Sequence, residues 1–79
     1  MKEKLFILSD YDGGYYCSIM VNGVEYEKDE IRSNEILHRI YKEYDAFDYD
    51  TAVELIKEHF DIDLVIICAD GTIEIREIN

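Results

Sequence analysis

Proline is absent from this 79-residue chain, glycine occurs only four times and cysteine twice. Without proline or any low-complexity stretch there is no linker, so the chain reads as a single domain over residues 1–79. Cys17 and Cys68 sit inside apolar, β-branched runs rather than in the dense, regular spacing of a secreted disulfide scaffold, and are expected as buried, reduced thiols. Long apolar runs are missing too. Met1-Lys2-Glu3-Lys4 leads into four apolar residues before Ser9 and Asp10, too short for the apolar region of a signal peptide. No run approaches a membrane span, and a cytoplasmic location without membrane contact is expected.

Basic charge is the scarcest commodity. Eight Lys and Arg stand against nineteen Asp and Glu, for a formal charge of −11. Eight acids between Glu43 and Asp63 face Lys57 alone, so that segment carries a net −7. A field of this sign repels nucleic acid and anionic membrane and attracts basic protein surfaces. Intrinsic disorder is excluded by the 48% apolar content and its clear periodicity.

Leu5 to Ser9 and Tyr15 to Val21 read as strands, separated by a loop at Asp10 to Gly14. Asn22-Gly23 is a strong hairpin signal that pairs Val21 with Val24 and Ile19 with Tyr26, placing Cys17, Ile19, Val21, Val24 and Tyr26 on one face. Ser33 is the expected N-cap of a helix whose apolar arc is Ile36, Leu37, Ile40, Tyr41 and Tyr44. Thr51 and Glu54 have the spacing of a capping box, with Asp50 as a competing cap, and open a second helix with Ala52, Val53, Leu55, Ile56, His59 and Phe60 on its apolar side.

Leu64 to Ala69 is a continuous apolar strand, and Asp70-Gly71 turns it into the alternating run Thr72 to Ile78. That turn pairs Cys68 with Ile73 and Ile66 with Ile75, which are expected to make the core face. Val65, Ile67 and Ala69 then fall on the opposite face, either covered as a central strand or available as a homodimer patch through Val65 and Ile67. The expected fold is α+β, a small, mainly antiparallel sheet in the order β-β-β-α-α-β-β with two helices grouped on one face.

Leu5 to Gly13 resembles the strand-then-Asp-x-Asp-Gly signature of haloacid-dehalogenase-type phosphotransferases, and Cys68 to Ile73 is similar to a fragment of it. The resemblance implies a nucleophile at Asp10 and an acid/base at Asp12. That fold needs a parallel sheet and further motifs for which this chain has no room, and Gly14 stands where the family usually has threonine. Both stretches therefore read as turns. A calcium loop beginning at Asp10 fails at Gly14, Tyr15 and Val21. His38 on a polar helix face and His59 in an apolar arc lack metal-site or nucleophile spacing. No enzyme activity, cofactor or metal is expected.

Between Tyr41 and Asp50 tyrosines alternate with carboxylates, a composition suited to binding a basic protein surface. Tyr41, Glu43, Asp45, Asp48, Tyr49, Asp50, Glu54 and Glu58 are the expected contact residues. Acids four apart on a helix, such as Glu54 and Glu58, stand about 6 Å apart, on the order of neighbouring backbone phosphates. In size and charge profile the chain resembles the DNA-mimic, anti-restriction and anti-CRISPR proteins of phages and mobile elements. That likeness implies an inhibitor occupying the basic, nucleic-acid-handling surface of a partner such as a nuclease. The alternative is a non-enzymatic bacterial accessory or regulatory module, with a homodimer as one form.

Overall fold

The computed structural model describes residues 3–10 and 16–78. Asn22 and Gly23 take φ of 50° and 86°, and Asp70 and Gly71 take 51° and 77°. These are the two-residue turns whose twist matches that of paired strands, and glycine at the second position makes the left-handed backbone inexpensive. Each turn sets a register. β2 (Cys17–Val21) and β3 (Val24–Tyr26) pair Val21 with Val24 and Ile19 with Tyr26. β4 (Leu64–Ala69) and β5 (Thr72–Glu77) pair Cys68 with Ile73 and Ile66 with Ile75. Both registers agree with the sequence reading.

β1 (Leu5–Asp10) joins the hairpins into a sheet of order β3-β2-β1-β4-β5, antiparallel to β2 and parallel to β4. The fold is α+β with a mixed, mainly antiparallel sheet. Short polar clamps hold the hairpins to β1. Asn22 Oδ1 accepts from the Leu5 amide at 2.8 Å while the Asn22 amide donates to the Leu5 carbonyl, also at 2.8 Å. On the other side the Lys4 amide donates to Asp63 Oδ2 at 2.9 Å and the Lys4 carbonyl accepts from the Asp63 amide at 2.8 Å.

The parallel pairing decides which face is the core, and it reverses the expectation. Phe6 lies beside Val65 and Leu8 beside Ile67, and all four are at most 1% exposed. With Cys17 and Ile19 they form the covered face. Val65 and Ile67 therefore belong to the core and cannot form the homodimer patch assigned to them. Ile66 and Cys68 sit on the other face with Ile73 and Ile75, which are 69% and 60% exposed. Alternation in β5 indicated that its isoleucines face the core, whereas they face away from every helix.

Among the described residues three helices, not two, cover the inner face. α1 (Lys28–Ser33) has one apolar residue, the fully buried Ile31, and so leaves no periodic signal. Its N-cap is Glu27, whose amide donates to the Glu30 carboxylate at 3.2 Å, an unusual capping residue in sequence terms. α2 (Glu35–Asp45) is capped by Asn34 rather than Ser33, because Asn34 Oδ1 accepts from the Ile36 and Leu37 amides at 3.0 and 3.1 Å. α3 (Tyr49–His59) is capped by Asp48, which accepts from the Thr51 amide at 3.1 Å and from the Thr51 hydroxyl at 2.8 Å. Asp50 and Thr51 thus lie inside its first turn.

Leu37, Ile40 and Tyr44 of α2 share one core with Val53, Leu55 and Ile56 of α3 over the sheet, and Ala52 is also fully buried. Phe60 packs edge-on against Phe6, with ring centroids 5.2 Å apart. His59, expected in the apolar arc, is exposed at the end of α3. Removing the α3 cap by Asp48→Ala is expected to lower the unfolding free energy by about 1 kcal/mol in urea denaturation. An unchanged midpoint would show that the Asp48 cap contributes nothing.

Candidate protein-binding cleft

Because β1 and β4 are parallel, their carboxyl ends emerge side by side and bring Asp10 next to Asp70. Tyr44 of α2 reaches down to this edge. Its hydroxyl lies 2.5 Å from Asp10 Oδ1 and 2.8 Å from the Cys68 carbonyl, so a single proton is shared between two acceptors. The Asp70 amide donates to Asp10 Oδ2 at 3.0 Å. The bond from Tyr44, then that from Asp70, holds the Asp10 carboxyl below the usual carboxylate range. Burial, reinforced by Asp10, pushes the Tyr44 phenol well above its ordinary value.

Around this knot lies a cleft of about 300 Å³ lined by Asp10, Tyr16, Cys17, Tyr41, Tyr44, Asp45 and Asp70. Tyr16 and Tyr41 stack face to face, 4.2 Å between centroids and 18° between planes, and the Arg32 guanidinium sits 5.6 Å over the Tyr16 ring. His38 completes this wall, its Nε2 lying 3.4 Å from the Tyr16 hydroxyl. Three carboxylates and three phenols thus line a concavity with no Lys or Arg among its described lining residues. Among the described residues no group of three His, Cys, Asp or Glu is placed to hold a metal ion. Burial pushes the Cys17 thiol up to about 12, which leaves it an inert wall rather than a nucleophile.

At the lip stands Phe47, 68% exposed and at φ 59°. α2 ends in a Schellman arrangement, with the Phe47 amide donating to the Tyr44 carbonyl at 3.1 Å and the Asp48 amide to the Glu43 carbonyl at 2.9 Å. The left-handed position of that motif ordinarily takes glycine, and a bulky side chain there is strained. The ring stands outside the core, edge-on to Tyr49 at 6.2 Å. Tyr49 in turn leans on Tyr44 at 5.8 Å.

The eight residues expected to contact a partner separate into groups. Tyr41 and Asp45 line the cleft, and Tyr49 lines a smaller groove that continues it past Phe47. Asp48 is occupied as a helix cap, and Asp50 pairs with Arg76 at 2.7 Å. Glu43 is half-buried, and Glu54 and Glu58 are exposed on α3, away from the cleft lining. Asp10, Tyr16, Phe47 and Asp70 line the cleft or its groove but are not among the eight expected residues; Asp10 and Asp70 are 60 positions apart and only β1–β4 pairing unites them. The signal for Phe47 was its place where a helix should have ended in glycine. Of the Asp-x-Asp-Gly stretch only Asp10 is described; Asp12 to Gly14, with Tyr11 and Tyr15, lie outside the described residues.

No protein family, curated protein or solved structure matches this chain. Among the described residues no helix is long and apolar enough to cross a membrane.

Proposed function

We propose that the chain is a non-enzymatic binding protein whose acidic, tyrosine-lined cleft and projecting Phe47 take a basic protein surface. The partner in this reading handles nucleic acid, a nuclease being the chief example, and the bound chain inhibits it by occupying its phosphate-binding residues. The observation that carries the reading is Phe47: an aromatic ring held in strained backbone and exposed to water beside a cleft whose charged lining residues are all acidic. Exposed strain of this kind is retained where something other than stability requires it. A Lys or Arg entering the cleft meets Asp10, Asp45 or Asp70, whose carboxylates attract it.

Phe47→Gly separates binding from stability. Glycine relieves the left-handed strain, so the unfolding free energy is expected to stay unchanged or rise by up to about 1 kcal/mol. Loss of the ring is expected to weaken capture of the basic partner by about 2 kcal/mol or more in biolayer interferometry. Asp45→Lys is expected to slow association, and wild-type association is expected to slow as salt shortens the Debye length below about 8 Å. Binding that survives Phe47→Gly and Asp45→Lys at full strength, or that fails to compete with DNA on the partner, refutes the reading.

A further inference from the structure

Among the described residues no helix lies on the outer face of the sheet. Every fully buried sheet side chain lies on the inner face, yet the outer face carries Ile7, Met20, Ile66, Cys68, Ile73 and Ile75 among its residues. An antiparallel sheet with one face in water ordinarily alternates apolar-in and polar-out. β5 does the reverse. It turns Thr72, Glu74 and Arg76 toward the helix side and Ile73 and Ile75 outward, at 69% and 60% exposure. Shifting the register by one residue would exchange those faces, so the alternation of β5 fits a sheet covered on its outer side.

We propose that a second copy of this chain covers that face, the two sheets packing face to face about a two-fold axis. Charge selects this occupant. In a molecule of net charge −11, the middle of this face is uncharged: among the described residues its charges, Glu25 on β3, Glu77 on β5 and Glu3 and Lys4 at the entry to β1, lie at its margins, so it offers no charged cluster to a strongly basic or acidic partner. Sheets packed about 10 Å apart leave both acidic helical layers outward, separated by several Debye lengths of about 8 Å, so their repulsion is largely screened. Strand spacing and rise give a projected area of roughly 450 Å² per copy, or about 900 Å² for the pair before side-chain relief and rim loops are added. That is just below the roughly 1,000 Å² at which specific interfaces begin, so a weak dimer is expected, with a dissociation constant on the order of micromolar. The dimer is bivalent, with a cleft on each outer side.

Sedimentation equilibrium across about 1 to 100 µM is expected to show twice the 9.3 kDa chain mass at the upper end. The double variant Ile73→Lys, Ile75→Lys alters two exposed side chains, keeps the monomer folded, and is expected to raise the dissociation constant at least about a hundredfold. Cys68 supplies an independent readout. It lies on β4, one strand inside the β5 edge, and is expected to react with iodoacetamide several-fold faster in the double variant, while buried Cys17 stays silent in both. A monomer throughout the range, or a dimer that persists in the double variant, overturns the proposal. So does a dimer in which Cys68 reacts as fast as in the variant, because that result indicates edge-to-edge pairing. Capture of a basic partner by the monomeric variant is expected to persist, so loss of the dimer and loss of the cleft's function are separately visible.

Discussion

Ile67→Glu is expected to leave no measurable folded population, whereas Ile73→Lys, one strand away and on the other face, is expected to leave the monomer's stability within about 0.5 kcal/mol of the parent. Ile67 is 1% exposed and directly paired with Leu8 on β1 and Glu74 on β5, neither of them a cation, and the diagonal Arg76 is already paired with Asp50 and Glu74. Burying an unpaired charge costs several kcal/mol, comparable with the whole stability of so small a domain. Circular dichroism and amide dispersion in proton NMR read the outcome directly. An Ile67→Glu chain melting within a few degrees of the parent would mean that the helices do not cover this face, and the assignment of inner and outer surfaces would fall with it.

Tyr44→Phe is expected to lower the unfolding free energy by about 1–3 kcal/mol, through loss of the donor shared by Asp10 and the Cys68 carbonyl rather than through packing, since the ring stays. Its signature is in the pH dependence. Asp10 is held below its ordinary value of 3.8, chiefly by Tyr44, so its contribution is present above that value and is lost as pH falls through the depressed folded value. Tyr44 is raised above its ordinary 10.0, so its contribution is present below pH 10 and is lost as pH rises through the folded value. The variant is therefore expected to show a flatter stability profile below pH 3.8 and above pH 10, and its Asp10 carboxyl, followed by NMR, is expected to titrate closer to 3.8. Equal pH slopes in parent and variant would show that the Tyr44–Asp10 contact is not made in solution.

Chain-local chemistry was legible in the sequence. Asn22-Gly23 and Asp70-Gly71 carry their turn geometry in two residues each, and the strand registers follow from them. The apolar arcs of α2 and α3 likewise announced which sides are buried, with His59, the last and exposed residue of α3, the exception. α1 was invisible: one isoleucine in six residues has no period, and the burial of Ile31 in the common core is a tertiary event. Caps shifted by one to three residues, since Ser33, Asn34, Asp48, Asp50 and Thr51 all carry a side-chain oxygen competent to accept from an amide and only the entering chain direction chooses among them.

Of the cleft, the sequence showed that tyrosines and carboxylates are concentrated between Tyr41 and Asp50, and nothing about which of them converge. The core face shows the same division. Leu64 to Ala69 is apolar at every position, so period-two reasoning offers both of its faces equally, and the alternation of β5 favours the wrong one. By itself, then, the sequence determined the turns, the strand pairing within each hairpin and the strong negative charge, because each is written in neighbouring residues or in bulk composition. Which face of the sheet the helices cover, and which distant carboxylates meet, was decided only by the parallel docking of β4 on β1. That contact joins residues about 60 positions apart and sets both the inner face and the Asp10–Asp70 edge at once.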